Sequence, residues 1–158
     1  MASTSVPDVL INLAAQLRLR PAVIGPPKVA VHEMDLGTWD EDEAIVLGKV
    51  TVADADFFAQ GTYATAEPPA LTGYLFVEQP GSDDAAVRAV LLRGKVLIVE
   101  VMQQLRDDAS VGGALAPPTM RRPPRVSSQT WQAVPADTDG AGVVRLRVDF
   151  TIQWTART

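Results

Sequence analysis

One stretch of 26 residues, 83–108, limits the folds open to this chain more than any other. Val87, Val90, Leu91, Gly94, Leu97, Ile98, Val101, Met102 and Leu105 recur at i, i+3, i+4, i+7 spacing for nearly five turns. That period specifies an amphipathic helix with one apolar stripe. Val96, Ile98, Val99 and Val101 favour a strand locally, but the longer period outweighs them. Ser82, Asp83 and Asp84 offer a cap and a favourable charge at the positive end of the helix dipole. Gly94 falls on the apolar stripe, where a missing side chain permits another element to approach closely. A helix of this kind must lay its stripe on a second layer.

The C-terminus supplies that layer. Val144, Leu146, Val148, Phe150, Ile152 and Trp154 alternate with Arg145, Arg147, Asp149, Thr151, Gln153 and Thr155. Strict alternation predicts a strand with one buried and one polar face. A turn over Asp137–Gly142 pairs it antiparallel with a strand over Val126–Val134. Upstream, Leu71–Glu78 reads as a strand, as does Ala44–Val52 with Gly48 as a bulge, and 28–34 as a short, weakly patterned one. Residues 5–19 predict an N-terminal helix, capped by Ser5 with Pro7 in the first turn, and Pro21 ends it. Gly112-Gly113 closes the long helix. Residues 53–70 read as an extended loop or hairpin arm. Pro117-Pro118 and Pro123-Pro124 bracket a Pro-rich linker over 114–125, a composition that opposes helix and central strand. The expectation is one α+β domain over residues 1–158, with an antiparallel or mixed sheet packed on a long central helix and an N-terminal helix. Leu91, Leu97, Val101, Leu146, Val148, Phe150 and Ile152 are the predicted core.

The composition narrows the chemistry. The chain has 158 residues, no Cys and a single His. Disulfides, Cys-ligated metals, thiol catalysis and multi-His sites are therefore closed to one chain. In His32-Glu33-Met34-Asp35, the imidazole and its neighbouring carboxylate point to opposite faces of a strand. Asp40-Glu41-Asp42-Glu43 lacks the spaced ligands and turn Gly of a calcium loop. Asp107 and Asp108 read as residues beyond the last helical turn rather than a catalytic pair. Neither a phosphate-binding loop nor a Gly-x-Ser-x-Gly elbow is present. The expectation is a protein that is not an enzyme, with no catalytic, cofactor-binding or metal-binding residue. The N-terminus has no basic start before an apolar stretch, so neither a secretory leader nor a membrane span is expected.

Charge is distributed unevenly. Residues 1–60 sum to −5, 61–120 to −3 and 121–158 to +3, for a net −5. The positive share sits on Arg121, Arg122, Arg125, Arg145, Arg147 and Arg157. An acidic face and a basic face suit head-to-tail contact between copies.

The element order is an N-terminal helix, two or three strands, a long helix running into Leu105–Gly113 ("LRDDASVGG"), and a final antiparallel pair ending in "VVRLRVDFTIQW". This resembles the tail terminator (tail completion) proteins of long-tailed bacteriophages. The resemblance implies a structural virion protein, made in the host cytoplasm. It would form a homo-hexameric ring at the head-proximal end of the tail. Such a ring contacts the tail tube protein, stops its polymerisation and joins it to a head-completion or neck protein. DNA passes through without sequence-specific binding. Another neck or tail-tube component is an alternative within the same class. A small ligand-binding or hydrolytic domain using His32 and Asp35 is an alternative outside it. Subunit or tube contacts are expected at Arg121, Arg122, Arg145 and Arg147, opposite Asp40, Glu41, Asp42 and Glu43. Phe57 and Phe58 would add apolar contact, because exposed ion pairs each contribute only ~0–1 kcal/mol.

Overall fold

The computed structural model describes residues 6–25, 28–34, 42–51, 70–115, 120–138 and 141–156. Helix α1 (Val6–Arg18) and a single turn, α2 (Pro21–Ile24), precede strands β1 (Ala30–His32), β2 (Glu43–Thr51) and β3 (Ala70–Pro80). The long helix α3 (Asp84–Asp107) follows, and strands β4 (Met120–Thr138) and β5 (Ala141–Ala156) end the described chain. Pro21 does end α1 but opens α2, since its fixed φ suits a first helical position. The α+β expectation holds. The strands form one mixed sheet in the order β1-β2-β3-β5-β4, with β1 parallel to β2 and every other pair antiparallel.

Strand β5 lies in the middle, between β3 and β4. Its inward row, Val144, Leu146, Val148, Phe150, Ile152 and Trp154, is buried throughout, as the alternation predicts. Leu71, Leu75 and Val77 of β3 and Ile45 and Leu47 of β2 complete this face. Against it pack Leu97, Ile98, Val101 and Leu105 of α3 and Val9, Leu13 and Leu17 of α1. On the opposite face of the sheet, Ala30, Ala44, Val46 and Tyr74 form a smaller cluster with Phe76 at its rim.

Two glycines set the geometry. A Cβ on Gly94 would collide with Leu146 Cδ2 and lie 3.0 Å from Trp131 Cζ3, so its absence lets α3 settle onto β5 and β4. Gly48, at φ +54°, sits in a register shift between Val46 and Lys49. Simple alternation from Ile45 and Leu47 would turn Lys49 into the core. The extra residue turns Lys49 out and brings Val50 back in, opposite Leu71.

The structure departs from the sequence reading in four places. Leu91 is 39% exposed rather than core. It lies about 60° around the helix from Gly94, beyond the line of contact with the sheet. The expected Pro-rich linker is strand from Met120 onward, so β4 begins well before Val126 and runs to Thr138. β4 is an edge strand, where Pro123 and Pro124 are tolerated, and the register shifts along 120–128 absorb their geometry. Pairing continues to Thr138↔Ala141, so the turn is shorter than expected. Asp107 closes the helix rather than lying beyond it, while Asp108 is its C-cap. The expected arm at 53–70 falls, apart from Ala70 at the start of β3, outside the described residues.

Truncating Leu97 to Ala is expected to cost roughly 2–5 kcal/mol, whereas Leu91→Ala should cost about 1 kcal/mol or less. Denaturant midpoints of the two variants check this directly. Equal losses would contradict the placement of the helix stripe.

Candidate subunit interface

The charged residues sort into those already committed inside the chain and those left at the surface. Glu43 opens β2 with its side chain only 2% exposed. Arg93 reaches it from α3, its Nε donating to both carboxylate oxygens at 3.0 and 2.7 Å. The same guanidinium donates through Nη2 to the Ala22 carbonyl at 2.9 Å. One cation thus ties β2, α2 and α3 together, and Glu43 is not the surface acid expected from the run Asp40–Glu43. The sequence hides this because the partner lies 50 residues away. Asp42 is exposed, and its carbonyl accepts from the Glu78 amide at 2.8 Å. Asp40, Glu41, Phe57 and Phe58, expected at the interface, lie outside the described residues, as does Asp35.

Arg145 and Arg147 do share the outer face of β5, as expected. Each already has a partner in its own chain. Arg145 Nε donates to Glu78 Oε2 at 2.7 Å, across the paired strand β3. Arg147 pairs with Asp149 at 3.0 Å and lies over the Tyr74 ring, 4.0 Å from its centroid. Both remain substantially exposed, so a neighbouring surface can still reach them. Arg121 and Arg122 lie near the start of β4, and only their backbone is described. His32 ends β1, and the adjacent Glu33 pairs with Arg18 at 3.3 Å. Among the described residues no group of three His, Cys, Asp or Glu side chains stands close enough to hold a metal ion.

The two aspartates at the end of α3 are structural. Arg20 Nη1 donates to Asp107 Oδ2 at 2.6 Å, and Arg20 Nε to Glu100 Oε2 at 3.0 Å, clamping α3 to the end of α1. Asp108 accepts from the Ser110 hydroxyl at 2.6 Å, the Gly112 amide at 2.8 Å and Gln16 at 2.7 Å. These donors, the Ser110 hydroxyl foremost and then the Gly112 amide, hold its carboxyl below the ordinary aspartate range. "DDASVGG" is therefore a helix-ending loop wound around one carboxylate, with Gly112 and Gly113 at φ +65° and +90°.

What sequence reasoning did not single out is the outer edge of β4. This strand is 19 residues long, and among the described residues it pairs with β5 alone. From Val126 to Ala136 it carries no charged residue, and Trp131 and Val134 are 38% and 46% exposed. Soluble proteins normally protect such edges with charges, Pro or short strands. Here Pro123 and Pro124 precede, and Pro135 lies near the end of, an uncharged run whose outer edge pairs with no other strand among the described residues. The signal was available: an uncharged run between Pro-marked ends that also pairs only with the C-terminal strand.

Replacing Arg93 with Leu is expected to cost about 3–5 kcal/mol, because it strands the Glu43 carboxylate, and Glu43→Leu added to it should recover most of the loss. Chemical denaturation of the single and double variants reads this out. For Asp108, a depressed folded-state pKa means stability that is present above the ordinary aspartate range and lost as pH falls through it. Asp108→Asn should therefore unfold earlier than the wild type at neutral pH. The gap should close progressively below about pH 4, and a gap unchanged down to pH 2 would remove this role.

No family model matches the sequence, and no curated protein is significantly similar to it.

Proposed function

We propose that this chain is a ring-forming structural subunit of a phage tail, a terminator that caps the tube and joins it to the neck. The observation that carries the reading is the uncharged outer edge of β4, which pairs with no other strand among the described residues. A closed ring beyond a dimer needs heterologous contacts, in which one patch meets a different patch on the next copy. An unpaired strand edge is such a patch, because a neighbour's backbone can add to it and satisfy its open amides and carbonyls. Arg121 and Arg122 at one end of the β4–β5 pair and Arg145 and Arg147 toward the other give the C-terminal third of the sequence a basic character, against the net-acidic N-terminal half. The element order agrees with the resemblance carried by the two sequence stretches. Among the described residues no helix is long and apolar enough to cross a membrane. Placement at the head-proximal end of the virion tail follows from the same reading. The neck protein, the tube protein and further copies of the chain would be its partners.

Electron microscopy of tail tubes mixed with the purified protein tests it. A ring confined to tube ends is expected, with a hexameric species by native mass spectrometry either free or released from the ends. Thr130→Lys combined with Gln132→Lys, which place charge along the edge strand, should abolish the ring and leave the thermal midpoint within a few degrees. Bare tips with the wild type, or protein coating the tube sides, would overturn the assignment.

A further inference from the structure

Helix α3 carries a second apolar line on the side away from the sheet. Ala85, Ala89, Leu92, Val96 and Val99 are all exposed, Leu92 at 59%, Val96 at 43% and Val99 at 47%. Gln103 continues the line. The steps are 4, 3, 4, 3 and 4 residues, the spacing of a coiled-coil seam, with Leu92, Val96 and Val99 at its centre. At 100° per residue, Val96 points about 160° from Gly94, almost directly away from the core. On one flank, nearer the sheet, Leu91 is also exposed, and Trp131 lies beside Gly94 at the base of that flank.

The same flank bears a row of cations. Arg88, Lys95 and Arg106 are separated by 7 and 11 residues, steps that return to nearly one line along a helix. All three are exposed, and none has an ion-pair partner among the described residues. Asp84 stands at the N-terminal end of the row. On the other flank, Glu100 and Asp107 are both bound by Arg20. The surface thus presents an apolar seam bordered by unpaired positive charge. It suits an occupant that combines large apolar side chains with acids. A second α3 packed antiparallel against it about a two-fold axis would bring the two cation rows together, so self-pairing of this face is disfavoured.

The chain itself contains a segment with the complementary chemistry. Residues 52–69, outside the described structure, hold Asp54, Asp56 and Glu67, no basic residue, and the aromatics Phe57, Phe58 and Tyr63. We propose that the outer face of α3 is the receiving surface for the 52–69 segment of the neighbouring subunit, Phe57 and Phe58 on the Leu92–Val96–Val99 seam and Asp54 and Asp56 along the Arg88–Lys95–Arg106 row. The assignment rests on the ring reading for its neighbour and adds the contact that supplies apolar affinity. It also gives the exposed seam and the acidic segment a single purpose, and one copy offers both.

The absence of Cys makes a direct test available. Two singly substituted proteins, Phe58→Cys and Val96→Cys, are mixed and oxidised. A disulfide-linked heterodimer is expected, since that bond forms only if residue 58 of one copy reaches residue 96 of another. A fluorescein-labelled peptide of residues 52–69 provides an independent signal. It should bind the wild type more weakly as salt rises. Affinity should fall at least about tenfold for Leu92→Glu and for Lys95→Glu, the first removing apolar contact and the second reversing a charge. Both substitutions are on an exposed helix face, and unchanged far-ultraviolet circular dichroism confirms that the variants fold. A disulfide between two Val96→Cys chains in place of the mixed one would replace this assignment with α3–α3 packing. Absence of both the mixed disulfide and peptide binding overturns it, and a hexameric species formed all the same would leave the ring standing on its other contacts. Both signals in a chain that forms no ring, free or on tube ends, would keep the contact and remove the ring.

Discussion

The close approach of α3 to the centre of the sheet is the constraint on which the rest of the structure depends. It exists because residue 94 has no side chain: Leu146 of β5 and Trp131 of β4 occupy the space a Cβ would need. Through that contact one helix covers the inward row of β5, and β5 in turn pairs with both β3 and β4. The helix also connects β3 to β4, which run parallel with β5 between them. Helix, crossover and central strand therefore fix one another. Moving α3 outward by the width of a methyl group would open a gap above Leu146 and Val148, and tightly packed interiors tolerate such gaps poorly.

Electrostatics plays two different roles around this core. The Glu43–Arg93 pair is almost dry, and a dry pair is weak evidence for net stability because desolvation offsets much of the attraction. Its value is geometric, since the guanidinium also binds the Ala22 carbonyl and so sets where α2 meets α3 and β2. The Asp108 loop works by hydrogen bonds instead. A single carboxylate gathers a hydroxyl and a backbone amide from its own turn and a glutamine from α1, ending the helix and joining it to α1. Both sites place charged residues in supporting roles, which leaves the exposed surface to be defined by what is unpaired.

Much of the fold was legible because its periods are long. Six buried residues in strict alternation can only be one face of a strand, and nearly five turns of 3.6-residue period outweigh the strand propensity of Val96 and Val99. Leu91 was misread because a single period cannot say how wide the buried stripe is, and the narrow contact at Gly94 excludes a residue only about 60° away. The length of β4 was missed because Pro123 and Pro124 argue against a strand unless its position at the sheet edge is known, and edge position is a tertiary fact. Glu43 was grouped with its acidic neighbours by sequence, whereas the strand that begins there turns it toward Arg93. The candidate interface was least legible. Charge signs are visible in sequence, but whether a charge is spent inside the chain or left free depends on partners 50 or more residues away.

The two apolar lines of α3 explain how one helix serves the fold and also leaves a surface for assembly. The inner line follows the 3.6-residue period of a straight helix lying on a twisted sheet. The outer line, Ala85 to Gln103, also repeats in steps of 3 and 4, so it stays on one side of the helix for five turns. Fold stability needs only the first, since Leu97, Val101 and Leu105 are already buried within one copy. The second contributes nothing to an isolated subunit and leaves Leu92, Val96 and Val99 in water. A surface of this kind calls for an occupant, and the cations beside it, unpaired among the described residues, favour one that brings negative charge. In the proposed ring, this seam and the uncharged edge of β4 would be two receiving surfaces of different chemistry, one met by apolar and ionic contact and the other by backbone hydrogen bonds. Unlike surfaces on one copy favour contacts that propagate around a ring over contacts that close a two-fold dimer.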